Sequence, residues 1–244
     1  MPHVKSALGR PFGRLCQTGI QVALRRRATA TCVTFAALAC SLICRAGELT
    51  ISVVDRDGHA VADVVATATP SAGAPLPPPA AAADPKSSVM DQRDLAFLPR
   101  VLVIGVGTRV DFPNNDTVSH QVYSFSPAKR FQLPLYKGEF HPPVTFDQPG
   151  LVVLGCNIHD SMVGYIYVTP APYFGTTTAA GRVTLPRVPK GDYQVTIWSP
   201  FIADAPGSLS RTVHVEGDET TSFALAAALR TRPEPRPRRR DWEY

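Results

Sequence analysis

Cysteine is scarce in this sequence, and its distribution is uneven. Four of the five cysteines lie within the first 44 of the 244 residues, and only Cys156 lies beyond them. A single thiol cannot form an internal disulfide, and a free thiol in an oxidising compartment is reactive unless it is buried or bound to a metal. The sequence therefore excludes a disulfide framework after residue 44 and favours a ligand role for Cys156.

Acidic residues are absent from the first 46 residues, which contain seven lysines or arginines. Three arginines at 25–27 precede an uncharged run over 28–44 that ends on small residues at the positions expected for cleavage. This order is typical of a secretory signal peptide. We expect residues 1–46 to be removed on export to the periplasm, which leaves no stable membrane insertion. The alternative is an uncleaved anchor, but the run is shorter than the roughly 20 apolar residues of a spanning helix.

Positive charge is concentrated at the two ends of the chain. The formal net charge of +5 becomes −2 from Gly47 onward, where 18 basic residues stand against 20 acidic ones. Residues 47–229 alone carry 12 basic and 17 acidic residues, or −5. This balance gives no reason to expect nucleic acid as a partner. The basic tail, residues 230–244, is too polar to bury a core and is predicted to be disordered, with an electrostatic docking arm as the alternative.

Helical periodicity is also lacking, and short apolar strands between glycines and prolines take its place. Strands of this kind predict an all-β chain with a β-sandwich or barrel over 47–170. A Pro- and Ala-rich loop at 70–88 interrupts this domain. Residues 48–69 alternate around Asp57-Gly58, which predicts a hairpin, and the sequence does not decide which domain this hairpin joins.

The last part of the chain, residues 171–229, repeats the alternating pattern and predicts a second, smaller β-sandwich. A Pro-Lys-Gly-Asp turn separates two of its strands, and Gly217-Asp218 marks another hairpin. This segment contains no cysteine or methionine, and His214 is its one histidine. We therefore expect no chemistry in this module.

Three potential metal ligands lie close together in the stretch GCNIHDSM, where Cys156, His159 and Met162 follow one another at intervals of three residues. Thiolate and thioether sulfur are soft donors that favour copper, and imidazole suits copper and zinc alike. A trigonal site of two histidines and a cysteine with a weak axial methionine needs one more histidine. His120 is the best candidate, because it begins a strand after the turn PNNDT and is predicted to lie at the same end of the sandwich as Cys156.

Each of these residues also has an ordinary structural interpretation. A lone cysteine is commonly part of a core, a methionine fills gaps, and a histidine near a strand end is usually solvated. Of the other histidines, His59 and His214 are expected to face solvent, and His141 lies in a loop before two prolines. The joint occurrence of four donors in a chain with one remaining thiol favours the metal site.

The run GTRVDFPNNDTVSHQV, followed by GLVVLGCNIHDSMVGYIYV, resembles the cupredoxins, in particular those with the compact Cys-x₂-His-x₂-Met loop of amicyanin. Residues 89–200 as a whole resemble a bacterial cupredoxin-like group called methylamine utilization protein. The module from residue 171 resembles carboxypeptidase-regulatory or transthyretin-like sandwiches, which is an analogy of fold alone.

The resemblance implies a Greek-key sandwich that holds one type 1 copper ion through His120, Cys156, His159 and Met162. It also implies periplasmic electron transfer between redox partner proteins, such as a dehydrogenase or a cytochrome. Four protein ligands leave no open position for a substrate, so we do not expect an enzyme. One alternative is a copper-delivery protein that uses the same residues. Another is a scaffold that binds a partner or a carbohydrate and carries an incidental metal.

Two residues depart from the cupredoxin pattern. Gln121 stands where many cupredoxins have asparagine after the first histidine, and Asp160 replaces the usual proline after the second. A carboxylate next to His159 is expected to affect the basicity of its imidazole or the docking of a partner. The sequence specifies neither the redox partner nor the oligomeric state.

Overall fold

The computed structural model describes residues 46–71, 88–138, 141–205 and 209–231, which belong to one compact unit. The predicted signal peptide lies outside the described residues, as do most of the predicted Pro- and Ala-rich loop and most of the predicted basic tail. Within the described ranges there is no helix with the length and hydropathy that a membrane span requires.

Strands make up the regular structure of the described residues, which contain no α-helix, and the predicted all-β fold class is confirmed. The strands are β1 (Gly47–Val54), β2 (Val65–Pro70), β3 (Ser88–Val89), β4 (Asp91–Arg93), β5 (Ala96–Leu98), β6 (Val101–Gly105), β7 (Thr108–Asp111), β8 (Tyr123–Ser126), β9 (Lys129–Gln132), β10 (Val144–Phe146), β11 (Gly150–Gly155), β12 (Val163–Thr169), β13 (Tyr173–Thr176), β14 (Arg182–Val188), β15 (Gly191–Trp198), β16 (Ser210–Val215) and β17 (Glu219–Ala224). They form two β-sandwiches, each with its own core.

The first sandwich contains β3 to β12. One sheet has the strand order β6-β12-β11-β8-β9 and the other has the order β10-β7-β3, while β4 and β5 form a separate hairpin. Strand β12 has the alternation of a strand with one face in the core. Its Ile166 and Val168 side chains point into the core of the first sandwich, and Tyr165 and Tyr167 lie on the other face. The tyrosines on the opposite face of β12 pack against the second sandwich.

The second sandwich has one sheet with the order β14-β1-β17 and another with the order β13-β2-β15-β16. Strand β1 supplies three fully buried side chains at alternate positions, Leu49, Ile51 and Val53. Strand β1 pairs antiparallel with β14 and parallel with β17. This sandwich is therefore built from both ends of the described chain.

The pairing of β1 and β2 corrects two expectations from the sequence. These strands belong to opposite sheets of the second sandwich, so residues 48–69 are not a hairpin, and a single isolated bridge joins Val54 to Ala60. Residues 47–70 consequently do not belong to the copper domain that was predicted over 47–170. Strands β16 and β17, on either side of Gly217, also lie in opposite sheets rather than in a hairpin. Alternation predicts one buried face of a strand but not its neighbour in the sheet.

Aromatic side chains join the two sandwiches. The ring of Tyr165 lies 6.1 Å from that of Phe201, and the ring of Tyr167 lies 5.0 Å from that of Trp198. Phe201 is 2% exposed and shares a small apolar cluster with residues of both sandwiches. Pairs of this kind add to the burial of apolar area and hold the two sandwiches against each other.

Candidate metal centre

The hairpin of β11 and β12 positions three of the predicted ligands. Its last cross-strand pair is Gly155 and Val163, so Cys156 and Met162 leave the sheet side by side. The Met162 N–H donates a hydrogen bond to the carbonyl of His159 at 2.9 Å, which closes the connection into a tight loop. The spacing of three residues between ligands is thus the spacing of a compact turn between two paired strands.

His120 reaches the same place from the segment before β8. Strand β8 pairs with the end of β11 through Tyr123 and Gly155, so the residues before β8 lie beside the residue that follows β11. His120 is also joined to Tyr136 by an isolated bridge. The predicted position of His120, at the same end of the sandwich as Cys156, is confirmed.

The donor atoms of three predicted ligands lie close together. The Cys156 Sγ atom is 3.8 Å from Nδ1 of His120 and 3.9 Å from Nδ1 of His159, and all three atoms lie within 4.8 Å of one another. His120 is fully buried and Cys156 is 3% exposed, while His159 is half-buried. One edge of the group is therefore closed by protein and the other lies near the surface.

These separations fit a metal ion. Imidazole nitrogen and thiolate sulfur bind an ion such as zinc at about 2.0–2.1 Å and about 2.3 Å, which puts the two donors roughly 3.7 Å apart in a trigonal arrangement. The sulfur-to-nitrogen distances of 3.8 Å and 3.9 Å lie close to this value. One thiolate and two imidazoles form a donor set suited to copper or zinc.

Met162 is fully buried in the same core cluster as Cys156. Its backbone is fixed by the hydrogen bond to His159 and by its place directly before β12. A buried thioether beside the thiol is the position that an axial methionine requires. Coordination by Met162 stays a prediction, as does the assignment of the four residues to one ion.

A carboxylate holds the outer nitrogen of the buried histidine. The Oδ2 atom of Asp116 lies 2.8 Å from Nε2 of His120, and the Asp116 side chain is 7% exposed. Burial raises the pKa of the Asp116 carboxyl, but hydrogen bonds from the Leu95 N–H and from His120 outweigh burial and lower this pKa to about 2. Asp116 is therefore ionised at neutral pH. No pattern in the sequence marks Asp116 as part of the site.

Buried polar side chains fix the loop that carries His120. The Tyr136 hydroxyl donates a hydrogen bond to the Phe112 carbonyl at 2.5 Å and accepts one from the Gln92 side-chain amide at 2.5 Å. Gln92 also donates to the Pro113 carbonyl, through its backbone N–H at 3.1 Å and its side chain at 3.2 Å. Burial raises the pKa of the Tyr136 hydroxyl to about 12, so this group remains a donor at neutral pH.

Asn114 connects this network to the ligand loop. Its side-chain amide donates to the carbonyls of Tyr136 at 2.7 Å and Val118 at 3.0 Å, and its Oδ1 atom accepts from the Asp116 N–H at 3.0 Å. Asn114 is 5% exposed, so these bonds satisfy a buried amide. The turn PNNDT, predicted from the sequence as the turn before His120, contains Asn114 and Asp116, which orient His120.

The two departures from the cupredoxin pattern have different surroundings. The Gln121 side-chain oxygen accepts a hydrogen bond from the Asn157 amide at 2.5 Å, which ties the segment of the first histidine to the loop of the second. Asp160 is exposed. The carboxylate that the structure places on a candidate ligand is that of Asp116, four residues before His120.

The other histidines of the described ranges, His59, His141 and His214, lie outside the candidate centre. The side chains of His59 and His214 are 79% and 59% exposed, as expected. His141 stacks edge-to-face on Tyr136, with 4.3 Å between the ring centroids, and is not one of the three grouped donors. In the described ranges a second group of potential ligands, Asp55, Asp57 and His59, lies in a surface turn that the Asp55 carboxylate itself stabilises.

Parts of the chain are similar to solved structures. A purple cupredoxin from Nitrosopumilus maritimus is 24% identical, with 34% of this chain and 100% of that chain covered, at a TM-score of 0.31. A reduced amicyanin variant is 24% identical over 42% of this chain and 99% of that chain, at a TM-score of 0.32. A copper-containing nitrite reductase from Thermus scotoductus is 30% identical over 41% of this chain and 25% of the reductase chain, at a TM-score of 0.33.

No protein-family model matches the sequence, and no curated protein matches it. The resemblance to cupredoxins has counterparts among solved structures, whereas the resemblances to methylamine utilization proteins and to transthyretin-like modules stay predictions.

Proposed function

We propose that this protein is a periplasmic electron carrier that holds one type 1 copper ion with His120, Cys156, His159 and Met162. One observation carries the proposal, namely that the buried Cys156 sulfur lies 3.8 Å and 3.9 Å from the Nδ1 atoms of two imidazoles. Bound copper supplies a one-electron couple between Cu(II) and Cu(I) at such a site.

The residues of the chain provide donors for both oxidation states. Cys156 and Met162 offer soft sulfur, while imidazole nitrogen suits either state of the ion. His120 and Cys156 are fixed by packed strands and by the buried hydrogen bonds around Tyr136. We therefore expect the donors to keep one arrangement during electron transfer, which keeps the structural cost of each transfer small.

His159 marks the edge at which a partner approaches. It is half-buried, whereas His120 is fully buried, and its neighbours Asn157 and Ile158 are exposed. Ile158 presents an apolar side chain that is 52% exposed beside the imidazole. A small apolar contact of this kind suits the weak and short-lived docking of redox partners. Electrons then enter and leave through His159, supplied and removed by one-electron donor and acceptor proteins.

We infer that the protein is an electron carrier and not an enzyme. The two imidazoles, the thiolate and the thioether would fill the coordination positions of a bound ion and would leave none for a substrate. Export to the periplasm belongs to the same proposal, since the single thiol after residue 44 is protected there when it is buried and bound to metal.

The test is the visible spectrum of the purified protein after addition of Cu(II). We expect an intense thiolate-to-copper band that disappears on reduction and returns on oxidation. The band is lost in Cys156→Ala and in His120→Ala. The matched control is His59→Ala, which removes an imidazole that is 79% exposed and leaves the band unchanged.

Two results would contradict the carrier. Absence of the band in the wild-type protein rules out the type 1 site. A colourless protein that takes up Cu(I) through the same residues and gives it up readily is instead a copper-delivery protein, for which soft sulfur donors are equally suitable.

A further inference from the structure

The carboxylate of Asp116 contacts the ring nitrogen of His120 that does not face Cys156. Its Oδ2 atom lies 2.8 Å from Nε2, and the side chains of Asp116 and His120 are 7% and 0% exposed. The backbone N–H groups of Leu95 and Thr117 donate to Oδ2 and Oδ1 of Asp116, so this carboxyl group is an acceptor and Nε2 of His120 is the donor in their contact. In the neutral ring the Nδ1 atom, 3.8 Å from the Cys156 sulfur, then keeps its lone pair for a metal.

We propose that Asp116 is a positioning residue for the metal site. Its carboxylate holds His120 as the Nε2–H tautomer and lowers the reduction potential of the site. A carboxylate behind a ligand histidine fixes the ring orientation and makes its other nitrogen a stronger donor. A stronger donor and a nearby negative charge favour the more highly charged Cu(II) over Cu(I). The inference about the potential rests on the proposed copper function, whereas the tautomer is a property of the chain alone.

The surroundings of Asp116 orient its carboxylate before any metal binds. The Leu95 N–H donates to Oδ2 at 2.8 Å, and the Thr117 N–H donates to Oδ1 at 2.6 Å. Leu95 and Asp94 have φ values of 58° and 51° in the two-residue turn between β4 and β5, a left-handed pair that makes this N–H available. Both carboxylate oxygens are therefore held in place, and the contact with His120 does not depend on a mobile side chain.

A purely structural role for Asp116 makes a different prediction. If the carboxylate only ties the β4–β5 turn to the His120 loop, removal of its charge should change stability and leave the potential where it was. The variant Asp116→Asn tests this, because it keeps the size of the side chain and one acceptor oxygen. Asp91→Asn is the matched control, since Asp91 is also a partly buried carboxylate with local hydrogen bonds, to the Gln92 N–H and the Asn115 amide.

The first measurement is NMR of the ring nitrogens of His120 in the metal-free wild-type protein at neutral pH. The proposal expects a proton on Nε2 and none on Nδ1. The second is the reduction potential of the copper-loaded proteins. Asp116→Asn is expected to favour the reduced form about tenfold, an upward shift of about 59 mV for one electron, and Asp91→Asn is expected to shift the potential much less.

Each outcome decides the matter. A proton on Nδ1 of His120 overturns the proposal, even if Asp116→Asn does not fold. An unchanged potential in Asp116→Asn with the thiolate-to-copper band intact overturns the role of Asp116 but not the proposed function. Equal shifts in Asp116→Asn and Asp91→Asn also overturn it, because they report charge in general. Absence of the band in the wild-type protein instead rejects the copper function itself.

Discussion

Tyr136 and His120 exchange both of their backbone hydrogen bonds, with nitrogen-to-oxygen distances of 2.9 Å and 3.0 Å. The Tyr136 side chain is anchored separately, through its hydroxyl, to Phe112 and Gln92. A buried tyrosine outside the ligand set therefore fixes the backbone of the buried ligand. The rigidity of the candidate centre depends on this pair as much as on the strands that carry the sulfur donors.

Removal of the Tyr136 hydroxyl should destabilise the protein. In Tyr136→Phe the buried Phe112 carbonyl loses its donor at 2.5 Å and keeps only the longer bond from the Gln92 amide at 3.4 Å, and the Gln92 amide loses an acceptor. We expect the free energy of unfolding of the metal-free protein to fall by about 1–3 kcal/mol in urea titrations. The control is Tyr167→Phe, which keeps the stacking on Trp198. Equal stability of Tyr136→Phe and the wild type would show that the network contributes nothing.

A methyl group at Gly164 has no room. Its Cβ atom would lie 2.8 Å from Cβ of Phe97 and 3.0 Å from two atoms of the ring, and Phe97 is 1% exposed. Gly164→Ala is expected to lower the free energy of unfolding by about 1–3 kcal/mol through overpacking. Gly217→Ala is the control, because a Cβ atom there meets nothing within 4 Å. The same effect of the two substitutions on denaturant midpoints would contradict overpacking of the alanine methyl group against Phe97.

Phe201 is expected to be an anchor between the two sandwiches. Phe201→Ala removes a ring that is 2% exposed and that contacts Tyr165, so we expect a loss of about 3–5 kcal/mol in the free energy of unfolding. Phe125→Ala makes the same chemical change at a ring that is 68% exposed and should cost far less. Calorimetric unfolding of both variants checks this, and similar melting temperatures for the two would count against the interface.

The His214 imidazole should titrate above its ordinary value. Hydrogen bonds to Glu216 and then to Asp192 raise the pKa of His214 above 6.5. Because the folded pKa is raised, the stabilisation is complete below pH 6.5 and is lost as the pH rises through the folded pKa. NMR titration should give a lower His214 pKa in Glu216→Gln than in the wild type. A wild-type pKa at or below 6.5 would contradict the contacts.

The candidate ligands were predictable because most of the site is local in sequence. The hairpin of β11 and β12 brings Cys156, His159 and Met162 to one turn, and periodicity with spacing is enough to infer that turn. His120 followed from a strand and a polar turn. Asp116 lies four residues before His120, but its role depends on the Leu95 N–H and the Asn114 side chain, and the sequence alone does not place these groups beside it.

Strand pairing was the part that the sequence did not predict. Alternation in β1 correctly indicated one buried face, yet the partners of β1 are β14 and β17, and Leu49 lies opposite Glu219 in a parallel pair. Local turn signals at Asp57-Gly58 and Gly217-Asp218 suggested hairpins where the chain crosses between sheets. Turn residues set the direction of the chain locally, but long-range packing decides which sheet receives the next strand.

Strands β1 and β2 are inner strands of the second sandwich, so the first sandwich is inserted into the second along the chain. During synthesis the ribosome completes residues 88–170 before β14 to β17 exist. All strands of the first sandwich are therefore available while the second sandwich still lacks β14 to β17. A fragment that starts at residue 171 lacks β1, the central strand of one sheet of the second sandwich, and β2, an inner strand of the other sheet. Residues 88–170 are therefore expected to be the segment that folds when it is expressed alone, whereas the second sandwich needs strands from both sides of that segment.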